Sequence, residues 1–320
     1  MTAPATLAPA ELIRVTNIAR RFFIEGRSKG EIAAEFGVSR FKVARILERA
    51  RAEGVVRIEI RLPARLDASL AHKLRDAFRL QRARVVNCPM ELEAQMRQPL
   101  AHAAATLLTE IVTADDVLGV GYGRTLTLVA DEIDRLAPCL VVQLAGALFG
   151  VNNKDNSVEL ARQISARTGG PCHSIYAPQV LPDVQTAESV CQSPEVIEAY
   201  NHFGSITKAL VAVGSWTPPQ SQLHDSLPAR QARLFTTQGV VAEIGAVLLD
   251  RNGAQIMTEF SDRCISISGP ELHAIDEVIA VAGGEAKTDA VWAALAGGYV
   301  DSLVVDSSLA ASLLVRAGSP

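Results

Sequence analysis

The chain has 320 residues, 48% of them hydrophobic but only 5% aromatic, and a formal net charge of -4. That length allows two domains and a sizeable aliphatic core. The absence of any run of about 18 uncharged apolar residues argues against a helical membrane span, and the opening "MTAPATLAPA", with no basic start before an apolar stretch, does not read as a secretory leader.

Charge is divided unevenly along the chain. Residues 1–84 carry 18 Lys and Arg against 9 Asp and Glu, a net of +9, whereas residues 85–320 carry 13 against 26, a net of -13. A basic front on an acidic body suggests a polyanion-binding segment attached to a body with another task. The five cysteines, Cys88, Cys139, Cys172, Cys191 and Cys264, are scattered and form no C-x-x-C pair. That disfavours zinc or redox chemistry and fits reduced thiols in a cytoplasmic protein, with no metal or cofactor expected.

The first predicted element is a helix over "ELIRVTNIARRFFIEG", with a stripe of Leu12, Ile13, Val15, Ile18, Ala19, Phe22 and Phe23 and a stop at Gly26. Ser28 and Glu31 stand at capping-box spacing and open a second helix with Ile32, Ala33 and Phe36 inward. Gly37 suits the left-handed backbone of a sharp turn. Ser39 is a good N-cap for a third helix, "RFKVARILERARAEG". Val43, Ile46, Leu47 and Ala50 share one face of it; Phe41, Lys42, Arg45 and Arg49 share another, with Arg40 at the N-terminal end. Three short helices, two caps and a turn glycine at these spacings describe a helix-turn-helix whose third helix is expected to read the major groove of DNA. The expected contacts are Ser39, Arg40, Phe41, Lys42 and Arg45. After Gly54, "VVRIEIRL" alternates as a strand that would form a wing, so residues 1–62 are expected to be a winged, otherwise all-α DNA-binding domain.

Residues 63–82 read as a connector. Leu66, Leu70, Leu74 and Phe78 recur every four residues, and such a stripe must bury against something. Packing on the body is one outcome; self-association, giving the two-fold symmetry of paired half-sites, is the other.

From residue 83 short apolar runs alternate with helical stretches: "ARVVNC", a helix around 92–112, "DVLGVGYG", a helix from Arg124, "CLVVQLAG", a helix around 157–168, "HSIYAP", a helix near 194–202. "ITKALVAVGS", "GVVAEIGAVLLD", "EVIAVAGG", a helix, "SLVVD" and a last helix follow. This is the pattern of a doubly wound α/β domain, its parallel sheet covered on both faces, with ligands at the carboxyl ends of the strands. There the clearest site is "GVGYGRTL". Glycines let backbone N–H groups approach an anion at a helix N-terminus, and Arg124 and Thr125 add donors. The Walker lysine and the acid of a dinucleotide site are both missing, which leaves a sugar phosphate or similar small polyol phosphate. Other strand ends offer Gly146, Gln179, Gly283 and Gly284. Glu243, an acid inside an apolar run, needs a partner or a ligand hydroxyl. Lys287 in the first turn of a helix opposes the dipole, which a bound anion would explain.

Both halves resemble the SorC family of sugar-binding bacterial transcriptional regulators. The resemblance rests on "EIAAEFGVSRFKVARILERARAEGVVRIEI", "GVGYGRTL", "VVQLAGALFG", "VAEIGAVLLDRNG" and "VIAVAGGEAKTDAVWAALAGGYVDSLVVDSSLAASLL". It implies residues 83–320 shaped like sugar-phosphate isomerases, a phosphorylated sugar or polyol as effector, and tetrameric assembly on operator DNA. Carried over by motif, the effector would sit on Gly121, Tyr122, Gly123, Arg124 and Thr125, with Glu243 holding hydroxyls and Lys287 facing the phosphate or a sugar oxygen. Ala242 and Glu243 stand where the family usually has Gly-Asp, and Ala246, Val247 and Leu248 where it carries an arginine and aromatics; the effector's identity therefore stays open. The competing reading is a sugar-phosphate isomerase or deaminase. His72, His102, His173, His202, His224 and His273 form no H-x-x-E or H-E-x-x-H group and lie outside the strand-end segments, so a catalytic constellation is missing and no enzyme is expected.

Overall fold

A computed structural model of the chain describes residues 9–56, 65–88, 93–148 and 156–318. The chain divides into two compact units, Met1–Leu62 and Pro63–Pro320.

In the first unit α1 (Pro9–Phe23), α2 (Lys29–Glu35) and α3 (Arg40–Ala52) pack on a core of Val15, Ile18, Ala19, Ile32, Val43, Leu47 and Ala50. The local signals act as the sequence suggests. Ser28 accepts from the Glu31 N–H while the Glu31 carboxylate accepts from the Ser28 N–H. Ser39 accepts from the Lys42 N–H at 3.2 Å, and Gly37 takes φ +62° at the turn. The stripe on α1 is narrower than expected: Leu12 and Ile13 are exposed, Ile13 at 63%. Ile13 precedes Ile18 by five residues, about 140° round the helix, which points it away from the core. The expected wing strand falls largely outside the described residues.

The second unit contains β1 (Arg65–Leu66), β2 (Arg82–Asn87), β3 (Val117–Val120), β4 (Leu140–Gln143), β5 (Cys172–His173), β6 (Lys208–Ala212), β7 (Gly214–Trp216), β8 (Pro219–Gln220), β9 (Ala242–Ile244), β10 (Val247–Leu249), β11 (Glu277–Val281) and β12 (Ser302–Asp306). Among the described residues, eight of these form one sheet in the order β1-β2-β12-β11-β6-β3-β4-β5. It is parallel throughout except for β1, which runs against β2. Alternate residues feed two cores. Val85, Val142, Ala209, Val211, Val278 and Leu303 face one side, with α4 (Ala68–Phe78) and the helices Thr288–Ala296 and Ser307–Ala317. Val86, Leu118, Val141, Leu210, Ile279 and Val304 face the other, with α5 (Glu93–Ile111), α6 (Arg124–Glu132) and the helix Ser157–Thr168. No helix among the described residues is long and apolar enough to cross a membrane.

Two expectations are corrected. "GVVAEIGAVLLD" is not a strand of the parallel sheet. It folds back as β9 and β10 around a two-residue turn, with Ile244 paired to Val247, inside a second, antiparallel sheet of order β10-β9-β7-β8. Both strands are buried along their length, so a buried hairpin and one long buried strand write the same apolar run. The connector stripe is also not one face of a helix: Leu66 lies in β1, half exposed, while Leu74 is buried against the body and Phe78 meets the Trp292 ring edge-on at 5.8 Å.

Candidate functional site

In the large sheet β3 leads through α6 to β4 on one side, whereas β6, its other neighbour, precedes β11 on the opposite side. The chain therefore diverges between β3 and β6, and their adjacent carboxyl ends open a crevice, the place where such sheets hold ligands. Its walls are Tyr122, Gly123, Arg124 and Thr125 from the turn into α6, Ala212, Val213 and Gly214 at the end of β6, Gln220, Ser221 and Gln222 after β8, Glu243 and Gly245 from the hairpin, and Val281 and Lys287.

The turn is shaped for close approach. Gly123 is the N-cap of α6 with φ +156°, and no side chain caps the helix. A Cβ at this position would lie 2.8 Å from that of Ala212, so only glycine brings the helix start against β6. The uncapped first-turn N–H groups carry the positive end of the helix dipole. Beside them the Arg124 guanidinium donates to Asp225 at 2.6 Å.

Glu243 is buried between two donors, Trp216 Nε1–H and Ser221 Oγ–H, each at 2.7 Å. Desolvation pushes its carboxyl up to about 7, against the downward pull of those bonds and of Lys287. Gly214 is its cross-strand partner, and any side chain there would collide with the carboxylate. Lys287 ends a 3₁₀ turn, Glu285–Lys287; its buried ammonium donates to the Val213 carbonyl at 3.0 Å. That carbonyl and the nearby Glu243 compensate the charge that, from sequence, a bound anion was expected to explain. Tyr122 is a strut. Its hydroxyl donates to the Gly245 carbonyl at 2.9 Å and accepts from Gln179 at 3.1 Å, and burial raises the phenol well above its ordinary range.

Of the expected effector residues, Tyr122, Gly123, Arg124, Thr125, Glu243 and Lys287 come together in the crevice; Gly121, Gly146 and Gln179 are not in its walls. Gly121 donates its N–H to Leu210, tying β3 to β6. Gly146 is packed so closely that a Cβ would lie 2.6 Å from the Ala177 carbonyl oxygen, and Gln179 acts through Tyr122. Sequence reasoning passed over Gly214, Ser221, Gln222 and Asp225. Gln222 is only 7% exposed, and neither its amide nitrogen nor its oxygen has a hydrogen-bond partner among the described residues. The only local signal in that region is Ser221, which caps the short helix Gln222–Ser226 by accepting from the His224 N–H.

On α3, Arg40, Phe41, Lys42 and Arg45 are exposed, and the three cations have no ion-pair partner among the described residues. Arg49, further along, is bound to Glu11 and Glu53. Ser39 accepts the helix-cap bond from the Lys42 N–H with its hydroxyl oxygen, which leaves the O–H proton to donate outward.

The Sugar-bind family model, which describes a sugar-binding domain, matches residues 63–315. The transcriptional regulator YjhU of Escherichia coli K12 is 29% identical over 303 residues, 92% of this chain and 92% of that protein. The sorbitol operon regulator of Klebsiella pneumoniae is 24% identical over 305 residues, 94% of this chain and 97% of that protein. The crystal structure of the full-length sorbitol operon regulator SorC from Klebsiella pneumoniae shares the fold, with a TM-score of 0.73, 22% identity, and coverage of 95% of this chain and 99% of that one.

Proposed function

The chain belongs to the SorC family of sugar-binding transcriptional regulators, and from that membership we propose that it regulates carbohydrate or polyol catabolism through an operator affinity set by a small sugar phosphate or polyol in the crevice. The observation that carries this reading is Gln222. A buried amide with both ends unpartnered is costly in a native fold. A ligand hydroxyl, donor and acceptor at once, satisfies both ends, and a polyhydroxylated ligand brings several. The α6 N-terminus and Arg124 suit an anionic group on the same molecule. Glu243 and Lys287 complete the ring of polar groups around it. Ser39, Arg40, Phe41, Lys42 and Arg45 are the proposed contacts to operator DNA, and the protein acts as a homo-oligomer on paired half-sites.

The test pairs thermal-shift screening of sugar phosphates, free sugars and polyols with operator binding. A ligand that binds the native state raises the melting temperature by mass action. Arg124→Ala is expected to weaken that ligand by about 1.5–3 kcal/mol, the usual worth of a charged hydrogen bond. It should leave ligand-free DNA binding intact, because the helix-turn-helix is a separate unit. If Arg124→Ala responds to the ligand like the wild type, the turn is structural and the effector binds elsewhere.

A further inference from the structure

Phe41 is 84% exposed, more than any other large apolar side chain among the described residues. It is the second residue of α3. It takes no part in the core built on Val43, Leu47 and Ala50. Arg45, four residues on, lies about 40° away on the same face, and Arg40 and Lys42 flank it in the chain. An exposed phenyl ring gains nothing from water, and one flanked by three cations that have no ion-pair partner among the described residues suits a charged partner rather than an apolar one. The surface that fits is a polyanion with a small apolar feature between its charges. The major groove of B-DNA offers one such group on its base edges, the 5-methyl of thymine, and the N-terminal residues of a recognition helix are those that reach base edges.

We propose that Phe41 reads a thymine methyl group in each operator half-site, with Arg40, Lys42 and Arg45 holding the surrounding phosphates and bases. This rests on the reading of α3 as the DNA-recognition helix.

The experiment uses the full chain. Duplexes are selected from a random pool, and each thymine of the recovered site is then replaced by uracil, which lacks only the methyl group. At one thymine per half-site, uracil should weaken wild-type binding about fourfold, the worth of one buried methyl. Phe41→Ala should bind the thymine and uracil duplexes equally, with an unchanged melting curve because the side chain supports no core. Wild-type binding indifferent to uracil at every thymine overturns the proposal. So does a Phe41→Ala variant that keeps the full preference for thymine. A ring wedged between base steps gives the first of these results, since it does not touch the methyl. The Arg40→Ala/Arg45→Ala double variant separates the two levels. If it binds the selected duplex as well as wild type at about 150 mM salt, α3 is not the recognition helix and the underlying reading fails; if it loses binding while uracil has no effect, only the Phe41 proposal fails.

Discussion

Glu243 shows how one residue type can be recognised in a sequence while its partners are not. An acid in the run "GVVAEIG" demands compensation, and Trp216, Ser221 and Lys287 supply it, with Asp225 opposing. Because the folded-state pKa, about 7, is raised from the ordinary 4.5, the folded form binds the proton more tightly than the unfolded chain. Its stabilising contribution is therefore complete below the unfolded value and is lost as pH rises through about 7. Melting temperature measured from pH 5 to 8.5 should accordingly fall across neutrality in the wild type and fall less in Glu243→Gln. Equal slopes in the two proteins would show that the carboxyl is already ionised at neutral pH. Gly214 belongs to the same argument. Nothing in "VGSW" announces that a glycine there makes room for a carboxylate in a strand 29 residues later; only the register of β7 against β9 does so.

At the scale of elements, the helices of the first unit were readable because each signal acts within a few residues: a cap on the N–H three positions on, a glycine at its own turn. α4 is different. Its period announces a buried face and is silent about what covers that face. In the fold the cover is the helix Ser307–Ala317 and Trp292, from the far end of the chain. Leu74→Ala should therefore destabilise the protein by about 2–5 kcal/mol, the range for a fully buried leucine, as measured by chemical denaturation, with an unchanged mass by light scattering. A variant as stable as wild type but of lower mass would instead make α4 an intersubunit contact.

For the whole molecule, the proposed function has one helix-turn-helix read one half-site and a second copy supply the other. We expect light scattering at tens of micromolar to give at least a dimer; a monomer with and without operator DNA would remove that expectation. An effector in the crevice changes operator affinity only by binding one arrangement of the assembly better than another, and a coupling of roughly 1–3 kcal/mol spans fivefold to 150-fold in affinity. The sequence by itself determined the basic front and acidic body, the helix-turn-helix with its two serine caps, the alternation that makes a parallel sheet, and the glycine turn before Arg124. All of these are written by neighbours in the chain. Tertiary structure alone decided that β9 and β10 form a hairpin outside the main sheet, that Asp225, 101 residues away, pairs with Arg124, and that Gln222 faces the crevice with its amide unpartnered. The reason is physical: periodicity and caps report that a group is buried or a backbone turned, whereas the partner that buries or satisfies it is chosen by strand order and register, which bring distant segments to one place.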